Sequence, residues 1–320
     1  MTGKPTVYVD GQEGTTGLRI HEHLAGREDL EVLSIDPAQR RDTAERARLI
    51  NAADLVFLCL PEAASRQAVA LATNPATRII DASTAFRTDP TWTYGLPELH
   101  ARQRDKLRSA TRVANPGCHA SAFILALHPL RRAGILPAEV QLSAFSLTGY
   151  SGGGKKMIAQ YEAPGAPPNL MAARPYALGM QHKHLPEMQR ITGLDHPPLF
   201  TPVVCNVFAG LAVETFLPVA QLAKKVTPAD LREVLAEHYH GEPCVRVIPL
   251  DAAAYLDGGS LDITACNGTN RVDIFVFGNE AAGQISLIAR LDNLGKGASG
   301  AAVQNMNLML GLPELAGLTL

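Results

Sequence analysis

Along the first third of the chain, apolar positions fall in short unbroken runs separated by mixed segments. This pattern predicts strands covered on both faces, with helices between them. Residues 5–10 read as an apolar strand, 16–26 as an amphipathic helix and Glu31-Val32-Leu33-Ser34-Ile35 as a second strand, together a βαβ unit. Asp54-Leu55-Val56-Phe57-Leu58-Cys59-Leu60-Pro61 and Arg78-Ile79-Ile80-Asp81-Ala82 supply two further strands. The predicted class is α/β with a doubly wound parallel sheet. Beyond Cys118 the texture changes: Val140 to Leu147 alternates, 149–154 is glycine-rich, 163–168 is proline-rich, and Leu199 to Leu217 and Val272 to Leu291 read as strands. That predicts a second α+β domain with a largely antiparallel sheet. Gly300 to Leu310 has helical periodicity, with Ala301, Val303, Met306 and Leu310 on roughly one side.

The turn after the first strand contains Gly11, Gly14 and Gly17, followed by a helix. Alone, this spacing fits an ordinary strand–helix turn. After a first strand and before a first helix, it leaves backbone N–H groups free for a pyrophosphate, as in a Rossmann-like dinucleotide site. Gly11, Gly14, Thr15, Thr16 and Gly17 are therefore the expected cofactor contacts. Ser34 near the end of the second strand, and Arg40 and Arg41 after it, are expected at the ribose end. The selectivity signal there is mixed. Asp36, placed at the end of that strand, favours a free ribose hydroxyl, whereas Arg40 and Arg41 suit the 2′-phosphate of NADP.

Asn115-Pro116-Gly117-Cys118-His119-Ala120-Ser121 sets one cysteine on a Pro-Gly turn, immediately before the apolar helical run Ala122 to Leu127. A thiol at the positive end of a helix is favoured as thiolate, the nucleophilic form. Cys59, Cys205 and Cys266 lie inside apolar strands and read as inert packing. A thiol nucleophile needs an acid/base partner, and Gln181-His182-Lys183-His184-Leu185-Pro186-Glu187 offers two imidazoles and a carboxylate. The same stretch also fits a metal pair or a solvated surface segment. Histidines two apart on a helix point to different faces, and no cysteine or third histidine is near in sequence, which discounts zinc.

Ser83-Thr84-Ala85-Phe86-Arg87 follows a strand at the carboxyl edge of the expected sheet, where Arg87 is either a bidentate phosphate or carboxylate clamp or a surface arginine. Ser151-Gly152-Gly153-Gly154-Lys155-Lys156 is either a flexible turn or a backbone nest with lysines toward an anion. Asn293, leaving the last strand, suits the nicotinamide carboxamide or a simple turn.

The chain has 320 residues, 29 basic and 31 acidic side chains and a net charge of -2, so no basic surplus marks a nucleic-acid or anionic-membrane partner. Met1-Thr2-Gly3-Lys4-Pro5 carries no apolar signal core, and no apolar run approaches a membrane span. The five scattered cysteines, odd in number and without C-x-x-C spacing, fit a reducing compartment. A cytoplasmic protein is expected.

Taken together, the motifs resemble the N-acetyl-gamma-glutamyl-phosphate reductases, and the resemblance spans the chain. It is carried by Asp10-Gly11-Gln12-Glu13-Gly14-Thr15-Thr16-Gly17, Ile80-Asp81-Ala82-Ser83-Thr84-Ala85-Phe86-Arg87, Tyr94-Gly95-Leu96-Pro97-Glu98-Leu99, Asn115-Pro116-Gly117-Cys118, Gly149-Tyr150-Ser151-Gly152-Gly153-Gly154-Lys155, His182-Lys183-His184-Leu185-Pro186-Glu187 and Phe200-Thr201-Pro202. The glycine motif and the compact stretch between 36 and 54 resemble the shorter, second type. His119 after the cysteine and Thr84 in the arginine loop depart from the usual pattern.

The resemblance implies an NADP-binding domain of residues 1–117 completed by 300–320, and a catalytic and oligomerisation domain of residues 118–299. It implies NADPH-dependent reduction of an acyl phosphate to the semialdehyde in arginine biosynthesis, through a thioester on Cys118. His184 carries the acid/base role with His182 in reserve. Arg87, Glu187, Lys155 and His182 contact substrate, no metal is required, and the protein is a homodimer or homotetramer. Related acyl-phosphate reductases of the aspartate-semialdehyde and lysine-pathway kinds are the nearer competitors. The first should carry a different histidine motif, and the second, binding a carrier protein, calls for a basic groove beyond Lys155-Lys156 and Lys224-Lys225. A catalytically silent NADP-binding regulator is opposed by the retention of Cys118, His184 and Arg87.

Overall fold

The computed structural model describes residues 3–11 and 14–320, so Gln12 and Glu13 of the glycine motif and the first two residues lie outside the described part. The chain forms two compact units: residues 1–97, 101–117 and 298–319 in one, and 98–100, 118–297 and 320 in the other.

The first unit alternates β1 (Thr6–Asp10), α1 (Thr15–Leu24), β2 (Glu31–Leu33), α2 (Thr43–Ala52), β3 (Leu55–Leu58), α3 (Glu62–Leu71), β4 (Arg78–Asp81), β5 (Thr93–Tyr94), α4 (Gln103–Ser109) and β6 (Arg112–Ala114). Its six strands are all parallel, in the order β2-β1-β3-β4-β6-β5. The order reverses beside β1, so the glycine turn lies where doubly wound sheets open a crevice. Continuous apolar strands demand cover on both faces, and two buried clusters provide it. One joins Val7, Val9, Leu55, Phe57 and Ile80 to α1 and to Val303 and Met306 of the C-terminal helix Gly300–Leu310; the other joins Tyr8, Val56, Leu58 and Ile79 to Leu49 and Ile50 of α2.

β2 ends at Leu33, where its pairing with β1 stops, and not at Ile35 as the apolar pattern predicts. Asp36 is therefore a loop residue, and its Oδ1 accepts the Ala38 N–H at 2.9 Å. A short apolar edge run is poorly bounded by pattern alone, because only cross-strand partners fix where pairing stops.

The second unit contains α5 (Cys118–Arg132), β7 (Ser143–Gly149), α6 (Gly154–Glu162), β8 (Arg174–Pro175), α7 (Leu185–Thr192), β9 (Leu199–Cys205), β10 (Leu211–Pro218), α8 (Pro228–His238), β11 (Val245–Val247), β12 (Val272–Asn279) and β13 (Gln284–Leu291). Its sheet runs β11-β12-β13-β10-β7-β9-β8. Most pairs are antiparallel, as expected, but β7–β9 and β11–β12 are parallel. The β7–β9 pair needs a crossover, and α6 and α7 lie within it. Residues 120–127 of α5 are buried on every side, which is why this stretch lacks an amphipathic pattern. The segment Gly295–Ser299 is wound as a π-helix.

Candidate active site at Cys118 and candidate cofactor site in the first unit

Cys118 is the first residue of the fifteen-residue helix α5 and is partly exposed, while the next nine residues are buried. The helix that carries the thiol is thus fixed by the core of the second unit, and its N-terminal amides face the sulfur's end. Close packing extends to the π-helical turn: a Cβ at Gly297 would stand 2.7 Å from the Cys118 Cβ, so only glycine passes there. Beside it, the fully buried Lys296 ammonium contacts both Glu98 oxygens at 2.7 and 2.8 Å.

Cys118 stands within a histidine cluster. Its Sγ, a His119 ring nitrogen and a His184 ring nitrogen all lie within 4.8 Å of one another. His182 completes the cluster, with ring centroids 4.8 Å from His184 and 5.3 Å from His119. His184 is the N-cap residue of α7, and the buried Glu187 follows within the first turn. Because His182 Nδ1 accepts the His184 backbone N–H at 3.2 Å, neutral His182 carries its proton on Nε2. Tyr176 O–H stands 3.5 Å from that Nε2 and 3.1 Å from His119 Nε2, and His119 Nδ1 lies 2.9 Å from Ser146 Oγ. One consistent direction follows, with His182 donating to Tyr176, Tyr176 to His119 and His119 to Ser146.

Burial holds His119 well below the ordinary imidazole pKa and, with the Lys183 charge adding, lowers His182 to about 4. Burial, followed by the Cys118 charge, pushes the Tyr176 hydroxyl up. The loop bearing these groups holds Ala177 and Met180 at φ 52° and 57°. Such conformations cost side-chain-bearing residues on the order of 1 kcal/mol and persist where surrounding contacts over-determine them. Burial pushes up the Cys59 and Cys205 thiols and raises Cys266 to about 11, which disfavours the nucleophilic thiolate at these three positions.

In the first unit, Gly11 has φ +90° and a Cβ there would collide with the Cys59 carbonyl, so both the turn and the backbone approach require glycine. Gly14 caps α1 through its backbone, and among the described residues no side chain caps the Thr15–Thr16–Gly17 end. Thr15 Oγ1 is buried without a hydrogen-bond partner among them. An uncapped helix start with an orphaned hydroxyl fits a dinucleotide pyrophosphate. Arg46 of α2 holds the buried Asp10 carboxylate at 2.7 Å, neutralising the one acid at the end of β1. Ser34, Arg40 and Arg41 are exposed on the loop after β2.

Arg87 follows β4, where its Nη2 donates to the Ala82 carbonyl at 3.0 Å. Ser65 and Ser83 hydroxyls hold the buried Asp81 at 2.6 and 2.7 Å, and Phe86 stacks on Trp92 at 4.1 Å, so the loop that presents Arg87 is braced. Lys155 is exposed in the first turn of α6. Asn293 is buried, accepting the Gly210 N–H at 2.8 Å and donating to Ser151 Oγ at 2.9 Å, which ties the turn after β13 to the glycine-rich segment.

Sequence reasoning missed His119, Ser146, Tyr176, Arg46 and the Glu98–Lys296 pair as site groups. Only His119 carried a local signal, its place beside the nucleophile; the rest depend on contacts between distant segments. The separation in sequence that discounted metal binding does not hold in space, since α5 brings Cys118 and His119 to His184, and His184 caps a helix rather than sharing one with His182.

This site and fold define a class. Residues 6–107 match the semialdehyde dehydrogenase NAD binding domain, and residues 118–293 match the semialdehyde dehydrogenase dimerisation domain. A Vibrio cholerae aspartate semialdehyde dehydrogenase II shares the fold with a TM-score of 0.73 at 17% identity, over 97% of this chain and 99% of that one. Within the class, the chain is 45% identical to "N-acetyl-gamma-glutamyl-phosphate reductase 2" of Nostoc sp., over 98% of this chain and 99% of the relative. It is 44% identical to a protein of the same name from Pseudomonas putida, over 98% and 99%. The chain belongs to the N-acetyl-gamma-glutamyl-phosphate reductase family of the semialdehyde dehydrogenases.

Proposed function

We propose that this chain reduces N-acetyl-L-glutamyl 5-phosphate to N-acetyl-L-glutamate 5-semialdehyde, releasing phosphate, with NADPH as reductant and a thioester on Cys118. The observation that carries this reading is the Cys118 thiol at the N-terminus of α5, with its sulfur within 4.8 Å of a His184 ring nitrogen. Cys118 Sγ attacks the acyl carbon, the carbon–oxygen bond to phosphate breaks, and phosphate leaves with the electron pair. NADPH, when bound, supplies the hydride that takes the acyl carbon to the aldehyde level. The His184 imidazole gives a proton to the acyl oxygen and takes it back as the carbon–sulfur bond breaks, restoring the thiolate.

His182 suits this role less, because its Nδ1 is bound to the His184 backbone and burial disfavours its charged form. It positions His184 and borders the substrate. Arg87 holds the phosphate with Lys155 assisting, and Glu187 takes the substrate's polar end. Gly11, Gly14, Thr15, Thr16 and Gly17 hold the pyrophosphate, Ser34, Arg40 and Arg41 the 2′-phosphate ribose, and Asn293 orders the turn near the nicotinamide end.

Exposed Leu199 and Phe216 on β9 and β10, within the stretch matching a dimerisation domain, support a homodimer or homotetramer through the second sheet. Among the described residues no helix is long and apolar enough to cross a membrane, and the reading places the enzyme in the cytoplasm. Oxidation of N-acetylglutamate semialdehyde by NADP in the presence of phosphate, followed at the nicotinamide absorbance, tests the proposal. Turnover with this aldehyde and none with aspartate semialdehyde is expected, and the opposite preference overturns the reading.

A further inference from the structure

The cluster at the start of α5 has a second chemistry. A cysteine sulfur and two imidazoles, contributed by α5 and the α7 N-cap, converge within 4.8 Å, and both histidines are buried. Tetrahedral zinc sets its ligand atoms roughly 3.3–3.6 Å apart, given bonds of about 2.3 Å to sulfur and about 2.0 Å to nitrogen. Closing on an ion therefore asks each group to move by about 1 Å or less, within the reach of side-chain rotation.

The surrounding contacts suit a ligand set. His119 Nδ1 is engaged by Ser146 Oγ at 2.9 Å, the outer-shell bond that fixes a metal-binding imidazole and leaves Nε2 to ligate. His119 Nε2 faces the Tyr176 hydroxyl at 3.1 Å, a bond it can exchange for a cation while the Tyr176 oxygen still accepts from His182 Nε2. Three protein ligands and one open position, partly exposed through Cys118, describe a site that captures an ion from solution.

We infer that Cys118, His119 and His184 form a reversible binding site for a borderline-soft divalent cation such as Zn2+, and that occupancy switches off the thiol. Binding requires only the three side chains, whereas inhibition rests on the reading of Cys118 as the nucleophile. The ion forms a Zn–S bond to the Cys118 sulfur as the thiol's S–H bond breaks and its proton goes to solvent, and no electron is transferred.

The test uses the full-length reduced protein and Co2+ as a spectroscopic probe, without substrate or nucleotide. One Co2+ per chain should produce a thiolate-to-cobalt charge-transfer band that Zn2+ abolishes by displacement. In separate assays with substrate and NADP, Zn2+ should remove reductase activity over the same range of ratios, and a chelator should restore it. His119→Phe should weaken Co2+ binding more than roughly 100-fold, and Cys118→Ser should remove the band. If His119→Phe does not fold, His184→Gln carries the same expectation. Absence of the band at any ratio in the wild type, or a band of unchanged affinity in His119→Phe or His184→Gln, overturns the site. A protein that shows the band yet reduces no acyl phosphate would overturn the proposed activity and leave the metal site standing.

Discussion

The cysteine end of α5 and the glycine turn after β1 both use a helix N-terminus, but they are built in opposite ways. Around Cys118 the helix start is surrounded by side chains whose polar atoms answer one another, from Ser146 through His119 and Tyr176 to His182. At the glycine turn, among the described residues, no side chain caps the helix start and the Thr15 hydroxyl has no hydrogen-bond partner, and exposed arginines follow downstream. Groups that make and break bonds must be held within fractions of an ångström before substrate arrives, which calls for a buried, mutually satisfied network. A cofactor that comes and goes is bound by atoms left unsatisfied until it binds.

Removing the thiol should break the first region most severely. Cys118→Ser is expected to lower turnover by roughly 10⁴-fold or more, while nucleotide affinity stays near wild type, because covalent catalysis is lost and packing is barely changed. Serine at Cys59, Cys205, Cys244 or Cys266 should leave turnover near normal in folded protein. Trapping acyl-enzyme and mapping the modified residue decides the matter: label on another cysteine ends the assignment.

The two neighbouring histidines divide next. His184→Asn should slow single-turnover chemistry by roughly 10²–10⁴-fold, the usual worth of a positioned proton donor. His182→Asn should have the smaller effect, since an amide oxygen still accepts the His184 N–H. The reverse order in rapid-quench experiments would transfer the proton to His182.

Much of this contrast was legible in the sequence, for physical reasons. Unbroken apolar runs report strands buried on both faces, and glycine at a strand–helix turn reports a close backbone approach, so β1, β3, β4 and the glycine turn follow from local pattern. Cys118 is readable because a Pro-Gly turn and an apolar run bracket it. Tyr176 and Ser146 were invisible: they reach His119 across 57 and 27 residues of chain, and nothing in their own neighbourhoods signals it. The same holds for Glu98 and Lys296, 198 residues apart, and for Arg46, whose bond to Asp10 turns an acid beside the glycine turn into a neutral pair.

The buried His182 also carries a pH signature that the open glycine turn lacks. His182, lowered to about 4, takes up its proton in the unfolded chain at ordinary imidazole values but resists it when folded. The unfolded state therefore binds more protons between about pH 6.5 and 4, so the stabilising contribution is present above that window and is lost as pH falls through it. By pH 5 the loss from His182 approaches about 2 kcal/mol. Denaturant unfolding at pH 7 and pH 5 should show a smaller difference in His182→Asn than in the wild type. An unchanged difference would assign the effect to other buried histidines, His119 or His128.

Arg87 is braced like the cysteine region yet is proposed to meet a ligand, as the glycine turn does. Its loop is fixed by Asp81 and by the Phe86–Trp92 stack, so Arg87→Leu should leave the fold intact. Loss of a charge-assisted bond of roughly 1.5–3 kcal/mol should raise the apparent KM for phosphate in the oxidative direction by roughly 10- to 100-fold, with a smaller change for NADP. Phosphate saturation that does not move would pass the role to Lys155.

The smallest effect concerns the most open part of the molecule, where nucleotide choice is proposed to be made. Asp36 would repel a 2′-phosphate if its carboxylate faced the ribose, but Oδ1 is engaged by the Ala38 N–H of its own loop, and the Gln39 N–H bonds to the Asp36 carbonyl at 2.8 Å. That turn delivers Arg40 and Arg41 to the surface, while Asp42 beside them is engaged as the N-cap of α2 and Asp10 at the end of β1 is paired with Arg46. NADP should be preferred over NAD. Solvent screening keeps each exposed contact modest, so Arg40→Ala/Arg41→Ala together should cost NADP roughly tenfold in affinity while NAD hardly changes. The NADP loss should shrink at high salt, as expected for exposed charges and unlike the effect of changing buried His184. Equal losses for NADP and NAD in paired titrations would show that these arginines shape the loop instead of reading the phosphate.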